Sequence, residues 1–521
     1  VREKKVYGDM FSHGSQSVRA SQKRMQQVGA SARARLIQAA AAKWGVPASE
    51  CNSANSVITH TSSGRTMRYG EIASDAANAK LDQEPAIKTP DQFTFAGKPQ
   101  PRVDVVHKID GSGKFGMDAQ VPGMVFAAIT QCPVPGGKLK DVDESVLAGM
   151  PGNPQVVKLD NAVAVVADGT WWRAHKALSK LQPDWDTGHA DSIDSAQLSK
   201  EFRAALDGQA TKVRSDGDVD QALKGAAKPL EAVYETPYLS HSPMEPMNAT
   251  VHLQGDRLDV WVGTQDALDA TEAAAKAAGL DPEQVYVHNG FVGGGFGRRD
   301  ASDEIKQAIA IAKAVQKPVK LVWTREEDTR QDKFRPHAVV RYKAALGSDG
   351  TLSGLSARIV TSSIFNSTGA KLPPDKVEPM ATAGISDIGY AIPNVHIDAV
   401  IKNTHLPVWF WRAPGANQHV FSMESFVDEL AQAAGQDPYQ FRRKLLAGKP
   451  DWLKVLDTAA QKSDWGKPGP KGSGRGIAIC TDTDRRGAQG ADVTVTNAEV
   501  HVDRVTVVLF TALLGLGGLL F

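Results

Sequence analysis

Apolar residues recur at three- and four-residue spacing through residues 15–44, with Val28, Ala32, Leu36 and Ala39 on one side and Arg and Lys on the other. That period predicts an amphipathic helix, which Gly45-Val46-Pro47 stops. A second short helix is expected at 69–81 and a Pro-punctuated linker at 84–102. From 103 to 186 the pattern changes to short strands with turns, clearest at 124–129, 156–159 and 162–166, followed by a helix at 171–181. This is a small α+β module. Residues 188–230 are polar and helix-prone and read as a connector.

Strands and helices alternate again from 231 to 465. The elements expected are a strand at 285–292, a helix at 302–315 capped by Ser302, a strand at 319–323, and helices at 421–434 and 439–446. A Gly/Pro/Lys-rich loop follows at 465–476. Residues 499–507 alternate like a half-buried strand, then run into an apolar tail at 505–521. That tail sits at the lower limit of a bilayer span, about 17 residues. The reading preferred is a strand whose true continuation is lost by truncation or a frame change, since no charged flank separates strand from tail. A C-terminal anchor is the alternative.

A chain of 521 residues is too long for one core and implies several domains. Its 60 Lys+Arg and 59 Asp+Glu nearly cancel, which removes any global electrostatic reason to bind nucleic acid. The three cysteines, Cys51, Cys132 and Cys480, are far apart and form no CxxC pair. The chain by itself therefore lacks the ligands of a four-Cys iron–sulfur cluster or a Cys-rich zinc site. The first residues are charged, with neither an initiator Met nor an apolar signal core. Either a leader has been removed or the sequence starts inside a longer protein. Location is left open: periplasmic if an export leader precedes Val1, cytoplasmic otherwise.

The strongest chemical signal is Gly293-Gly294-Gly295-Phe296-Gly297-Arg298-Arg299, between a strand and a helix. Four glycines in five positions free the backbone to press N–H groups against a ligand. A helix N-terminus and two arginines add positive charge, so phosphate or pyrophosphate is the natural guest. A tight strand–helix turn with no ligand is the competing reading. A nicotinamide fingerprint, GxGxxG, fails at its third glycine, where Arg298 stands. The second signal is Trp409-Phe410-Trp411-Arg412-Ala413-Pro414-Gly415, either a core edge or a flat pocket wall with a cation on a rigid turn. The third, His241-Ser242-Pro243-Met244-Glu245-Pro246, reads as a satisfied loop or as ligands. No HExxH and no Gly-x-Ser-x-Gly appear, so hydrolase chemistry has little support.

Taken together and in order, these segments resemble the xanthine dehydrogenase and aldehyde oxidoreductase family of molybdenum hydroxylases, large subunits of the isoquinoline 1-oxidoreductase type. The resemblance rests on Gly14-Ser15-Gln16-Ser17 ahead of a helix, 104–118 with Pro122-Gly123-Met124, 241–246, and Trp261-Val262-Gly263-Thr264-Gln265. It continues through the glycine loop, Trp411 to Gly415 and the helix after Glu424, covering roughly residues 10–480. The Gly-Ser turn precedes the small module, as the isoquinoline type expects.

The resemblance implies a multi-domain α+β large subunit with a hammerhead-type α/β module and molybdopterin-binding domains. Its expected divisions are 1–90, part of a molybdopterin-binding domain; 91–187, the hammerhead module; 188–230, a connector; 231–470, a molybdopterin-binding domain; and 471–521, the start of a truncated C-terminal part. The guest of the glycine loop is then molybdopterin with molybdenum, in its cytosine dinucleotide form. The pterin supplies the metal's ligands, so no protein metal-ligand set is expected. Gln265 matches the glutamine that hydrogen-bonds an oxygen ligand of molybdenum, and Arg412 the arginine beside the pocket; these two are the catalytic candidates. Gly294, Gly295, Phe296, Gly297, Arg298 and Ala413 join Gln265 and Arg412 in holding the cofactor, with Gly14, Ser15, Gln16 and Ser17 at its phosphate end.

Asp300, Trp411 and Pro414 are the substrate-pocket candidates. Purine-oxidising relatives carry Glu where Asp300 stands, an Arg near Ala381 and a stacking Phe at Pro414, so a purine is not expected. The family's general-base Glu, in a Gly-x-Gly-Glu context, has no counterpart here, a loss of about two to four orders of magnitude in rate. The resemblance implies insertion of water-derived oxygen into an N-heterocycle or aldehyde. Electrons pass to a separate small [2Fe-2S] subunit and on to a cytochrome or another acceptor. The alternatives are a catalytically dead fragment or scaffold, and, ranked last, a nicotinamide-dependent dehydrogenase.

Overall fold

The expected N-terminal helix forms in two pieces, Gln16–Arg19 and Gln22–Trp44, and ends at Gly45, whose φ of 68° turns the chain out. In this computed structural model, residues 11–188, 193–373, 375–482, 485–496, 498–511 and 519–520 are described. They fall into two compact units, built on Ser12–Arg102 and Val103–Thr511. In the smaller one, Ile37 and Ala40 of the helix pack on Ile58 of a three-stranded sheet and on Ile72 and Ala76 of the helix Tyr69–Asn78. The first hairpin of that sheet, Cys51–Ala54 with Val57–His60, turns at Asn55 and Ser56 with φ of 50° and 62°. Positive φ at both turn residues matches the strand twist, but strands of four residues fall below the window in which alternation is visible.

The larger unit holds a seven-stranded mixed sheet. Its spatial order is Val285–Asn289, Arg257–Val262, Asn248–Gln254, Val319–Val322, Val125–Gln131, Ala162–Ala167, Gln155–Leu159. Strands of the expected small module therefore continue a sheet begun by later residues. One face is covered by helices Ala267–Ala278 and Asp303–Val315, through Ala270, Ala274, Ile305 and Ile309. On Trp171–Leu178, Ala174 and Ala177 pack against Val163 and Val165. Ser302 precedes the helix it was expected to cap, but its side chain makes no capping bond.

A five-stranded sheet follows, ordered Lys228–Thr236, Ala338–Leu346, Leu352–Thr361, Asn394–Ile401, Thr211–Asp216. Its last strand lies in the polar segment read as helix-prone; four of its six residues face solvent, so no hydrophobic alternation marks it. Met423, Phe426, Val427 and Leu430 of helix Ala416–Ala433 join this sheet's core. That helix starts before the expected 421 because its first turn is polar yet buried: Gln418 and His419 are almost fully enclosed. The last strands, Ser473–Asp482, Arg485–Thr496 and Glu499–Thr511, form an antiparallel sheet whose first strand begins inside the segment read as loop. Residues 512–518 and 521 of the apolar tail lie outside the described residues. Among the described residues, no helix is long and apolar enough to cross a membrane.

Candidate cofactor-binding site

The glycine loop leaves the edge strand Val285–Asn289, runs through Gly293–Gly297, and enters a 3-10 turn, Arg298–Asp300, ahead of helix Asp303–Val315. Its carbonyls all turn inward. Gly293 O accepts from Glu245 N at 3.0 Å, Gly295 O from Arg298 N at 2.9 Å, Phe296 O from Arg412 N at 2.7 Å and Gly297 O from Asp300 N at 3.2 Å. Gly294 O accepts from Arg299 Nε at 2.8 Å. The amides are paired only at the two ends of the loop. Gly293 N donates to Glu245 and Gly297 N to Gln265, both at 2.9 Å. Between them, the N–H groups of Gly294, Gly295 and Phe296 have no acceptor among the described residues. Consecutive unpaired amides on a backbone of alternating handedness form an anion-binding concavity. Gly294 has φ of 97°, Phe296 58° and Gly297 110°.

Side chains are kept out of this floor by contact. A Cβ on Gly297 would stand 1.7 Å from Phe410 O, and one on Gly295 would stand 2.3 Å from Gln265 Oε1. The glycines thus let two other segments close on the loop. One brings Gln265, held by Gln265 N donating to Arg299 O at 3.1 Å and by Gly297 N on its Oε1. The other is Trp409 to Gly415. Here Ala413 takes a φ of 58°, and Asn417 Nδ2 binds the carbonyls of Trp411, Arg412 and Ala413 at 3.2, 3.1 and 3.0 Å. Arg412 is exposed, Trp411 and Pro414 are half-buried, and the buried indole N–H groups of Trp409 and Trp411 find no acceptor among the described residues.

The arginines after the loop do not meet the expectation that they charge a ligand site. Arg298 and Arg299 are 0% and 1% exposed. Arg299 binds Gly294 O, Gly263 O and Glu245 O, and lies 3.3 Å from the Glu245 carboxylate. Arg298 pairs with Asp303 at 3.1 Å and Asp332 at 3.0 Å. Arg298 is therefore a strut within the protein, because the half-buried Asp303 and the buried Asp332 already neutralise it. Glu245 is the matching strut: besides Gly293 it accepts from Met117 N at 2.9 Å and Asn248 Nδ2 at 3.0 Å.

Asp300 lies at the end of the turn. Burial, with the charges of Asp266 and Asp269, pushes its carboxyl up to about 7, and its Oδ1 has no partner among the described residues. Gly14, Ser15, Gln16 and Ser17 belong to the other unit, where Gly14 and Ser15 have φ of 57° and 54°. Among the described residues no group of three or more His, Cys, Asp or Glu is placed to hold a metal ion.

A family model for a molybdopterin cofactor-binding domain matches residues 204–446, which contain Gln265, the glycine loop and Arg412. The chain is 29% identical to the isoquinoline 1-oxidoreductase subunit beta of Brevundimonas diminuta over 91% of its own length and 67% of that protein. It is 26% identical to a membrane-bound aldehyde dehydrogenase of Gluconacetobacter polyoxogenes, whose name carries pyrroloquinoline quinone, over 96% of its length and 69% of that protein. The aldehyde oxidoreductase structure from Desulfovibrio desulfuricans shares the fold at a TM-score of 0.59 and 17% identity, covering 83% of this chain and 55% of that one. Over most of its length the chain is thus similar to the Brevundimonas diminuta and Gluconacetobacter polyoxogenes proteins, and residues 204–446 match a molybdopterin-binding domain, on a multi-domain α+β fold.

The structure brings together Gln265, Gly294 to Gly297, Arg412 and Ala413. Sequence reasoning missed the roles of Glu245, Asp332 and Asn417. Glu245 had a local signal in the His-x-x-x-Glu segment among prolines, but the partners of Glu245 and Asp332 lie 48 and 91 residues away, beyond periodicity; Asn417 bonds carbonyls only four to six residues back.

Proposed function

We propose that this chain is the molybdenum-cofactor subunit of an oxidoreductase that hydroxylates an N-heterocycle or aldehyde with water-derived oxygen. Electrons then leave to a separate [2Fe-2S] subunit. The observation that carries this reading is the row of amides at Gly294, Gly295 and Phe296 that have no acceptor among the described residues, beside Gln265 and Arg412. A dinucleotide form of the cofactor, with its anionic phosphates, suits such donors. When bound, the molybdopterin supplies the two-electron oxidation.

The protein's part is to bind and orient. The loop amides and the indole N–H groups of Trp409 and Trp411 offer donors without spending charge. Gln265, fixed by main-chain bonds at both ends, presents its carboxamide in one orientation. Arg412 stands on a turn that Asn417 locks, so its backbone is fixed at the loop's rim and its cation is held within reach. Asp300, with its carboxyl near 7, is able to hold or give up a proton around neutrality.

The test is elemental and nucleotide analysis of purified protein from cells grown on molybdate. Equimolar molybdenum and acid-released CMP are expected, and growth on tungstate should abolish the molybdenum. Protein that carries neither defeats the reading.

A further inference from the structure

His241 lies where the two loops meet and belongs to neither. Its ring is fully enclosed. Nδ1 lies 3.1 and 3.2 Å from the two oxygens of Asp332, and Nε2 lies 3.0 Å from Phe410 O. A neutral imidazole carries one N–H and one bare lone pair. Whichever nitrogen were bare would aim that lone pair at an oxygen. Satisfying both contacts requires a hydrogen on each nitrogen, which is the charged imidazolium.

The surroundings suit a cation. Asp332 accepts from Ser240 Oγ and Lys333 N at 2.7 Å each and from His241 N, and lies 3.0 Å from Arg298. Burial alone would raise the Asp332 carboxyl, but bonds from His241 and the charges of His241 and Arg298 hold it below its usual range. Behind Arg298 stand Asp303, Glu304 and Asp328. Lys333 pairs with Asp303 and lies over the Trp409 ring. The Phe410 carbonyl that His241 holds is the same atom a Cβ on Gly297 would strike.

We propose that His241, as a buried imidazolium, is a positioning residue that pins the Phe410 carbonyl against Gly297 and so sets where Arg412 and Ala413 stand over the amides of Gly294, Gly295 and Phe296. Its consequence for cofactor binding rests on the proposed function; the pin itself does not. Removing either bond frees the Phe410 carbonyl, so the two loops loosen.

The full chain is compared as wild type, His241→Gln and His241→Phe, with circular dichroism reporting which variants fold. Gln keeps one donor for Phe410 O but no charge, and carries the test alone if the Phe variant does not fold. The first readout is molybdenum and CMP retained on gel filtration. The Phe variant should release cofactor about tenfold faster than wild type, and the Gln variant should fall between. The second readout, tryptophan emission, needs no cofactor: Trp411 lies 6.3 Å from the His241 ring. Emission shifted most in the Phe variant and partly restored in the Gln variant supports the pin. Variants matching wild type in retention and emission overturn it. Wild type without molybdenum or CMP, with the variants still shifted in emission, removes the proposed function and leaves the pin standing.

Discussion

Arg298 and Arg412 lie at the same junction and use the same side chain in opposite ways. Arg298 follows the glycine loop, is wholly enclosed, and faces Asp303 and Asp332. Arg412 follows three aromatic residues, is exposed, and is held through its main chain: its N–H donates to Phe296 O and its carbonyl accepts from Asn417. The difference teaches that a guanidinium beside a glycine-rich bend is not by that fact a ligand group. Where carboxylates fold back from elsewhere, the charge is consumed in fixing the bend. Where only the backbone is tied down, the charge stays available.

The sharpest way to break this comparison is Arg299→Ala, the enclosed neighbour of Arg298. It strands the Glu245 carboxylate and three carbonyls in the interior, and is expected to destabilise the protein by about 3–5 kcal/mol in urea or thermal unfolding. A variant that unfolds like wild type would show that the enclosed arginines are not struts.

Next comes Glu304, fully buried beside Arg298, whose carboxyl burial pushes up to about 7. Its folded value lies above the ordinary one, so the folded state binds the extra proton. That stability is complete below about pH 4.5 and is lost as pH rises through about 7. The amount is roughly 3 kcal/mol at most. Glu304→Gln should flatten the pH dependence of unfolding and melt higher than wild type at alkaline pH; an unchanged slope would contradict this.

Gly297→Ala places a methyl group on Phe410 O at a φ of 110°. A loss of about 1–3 kcal/mol and a lower molybdenum content are expected together. The smallest effect on the fold belongs to Arg412→Ala. Its unfolding free energy should stay within about 0.5 kcal/mol of wild type while retained molybdenum falls. Loss of stability without loss of molybdenum would reverse the roles assigned to the two arginines.

Much of the site was legible because its signals are compositional. Four glycines around Phe296 and the Ala413-Pro414-Gly415 turn announce special backbone wherever they fall, and the structure joins them through Arg412 N and Phe296 O. The role of Arg298 was not legible, because a sequence shows a charge but not Asp332 arriving from 34 residues away to neutralise it. The early start of helix Ala416–Ala433 was hidden for a related reason: Gln418 and His419 are polar residues used as core. In the fold, the fully buried strand Ala162–Ala167 was plain from its apolar run. The edge strand Thr211–Asp216, mostly facing solvent, carried no pattern to read.

The amides of Gly294, Gly295 and Phe296 are proposed to hold the anionic cofactor. Hydrogen exchange on peptides spanning 293–297, comparing protein from a host unable to make molybdopterin with loaded protein, tests this most directly. Exchange at those amides should slow on loading, together with that of Ala413. Unchanged exchange there, with protection appearing instead around Phe115, Trp261 and His288, where the structure has a separate cavity of about 510 Å³, would contradict it.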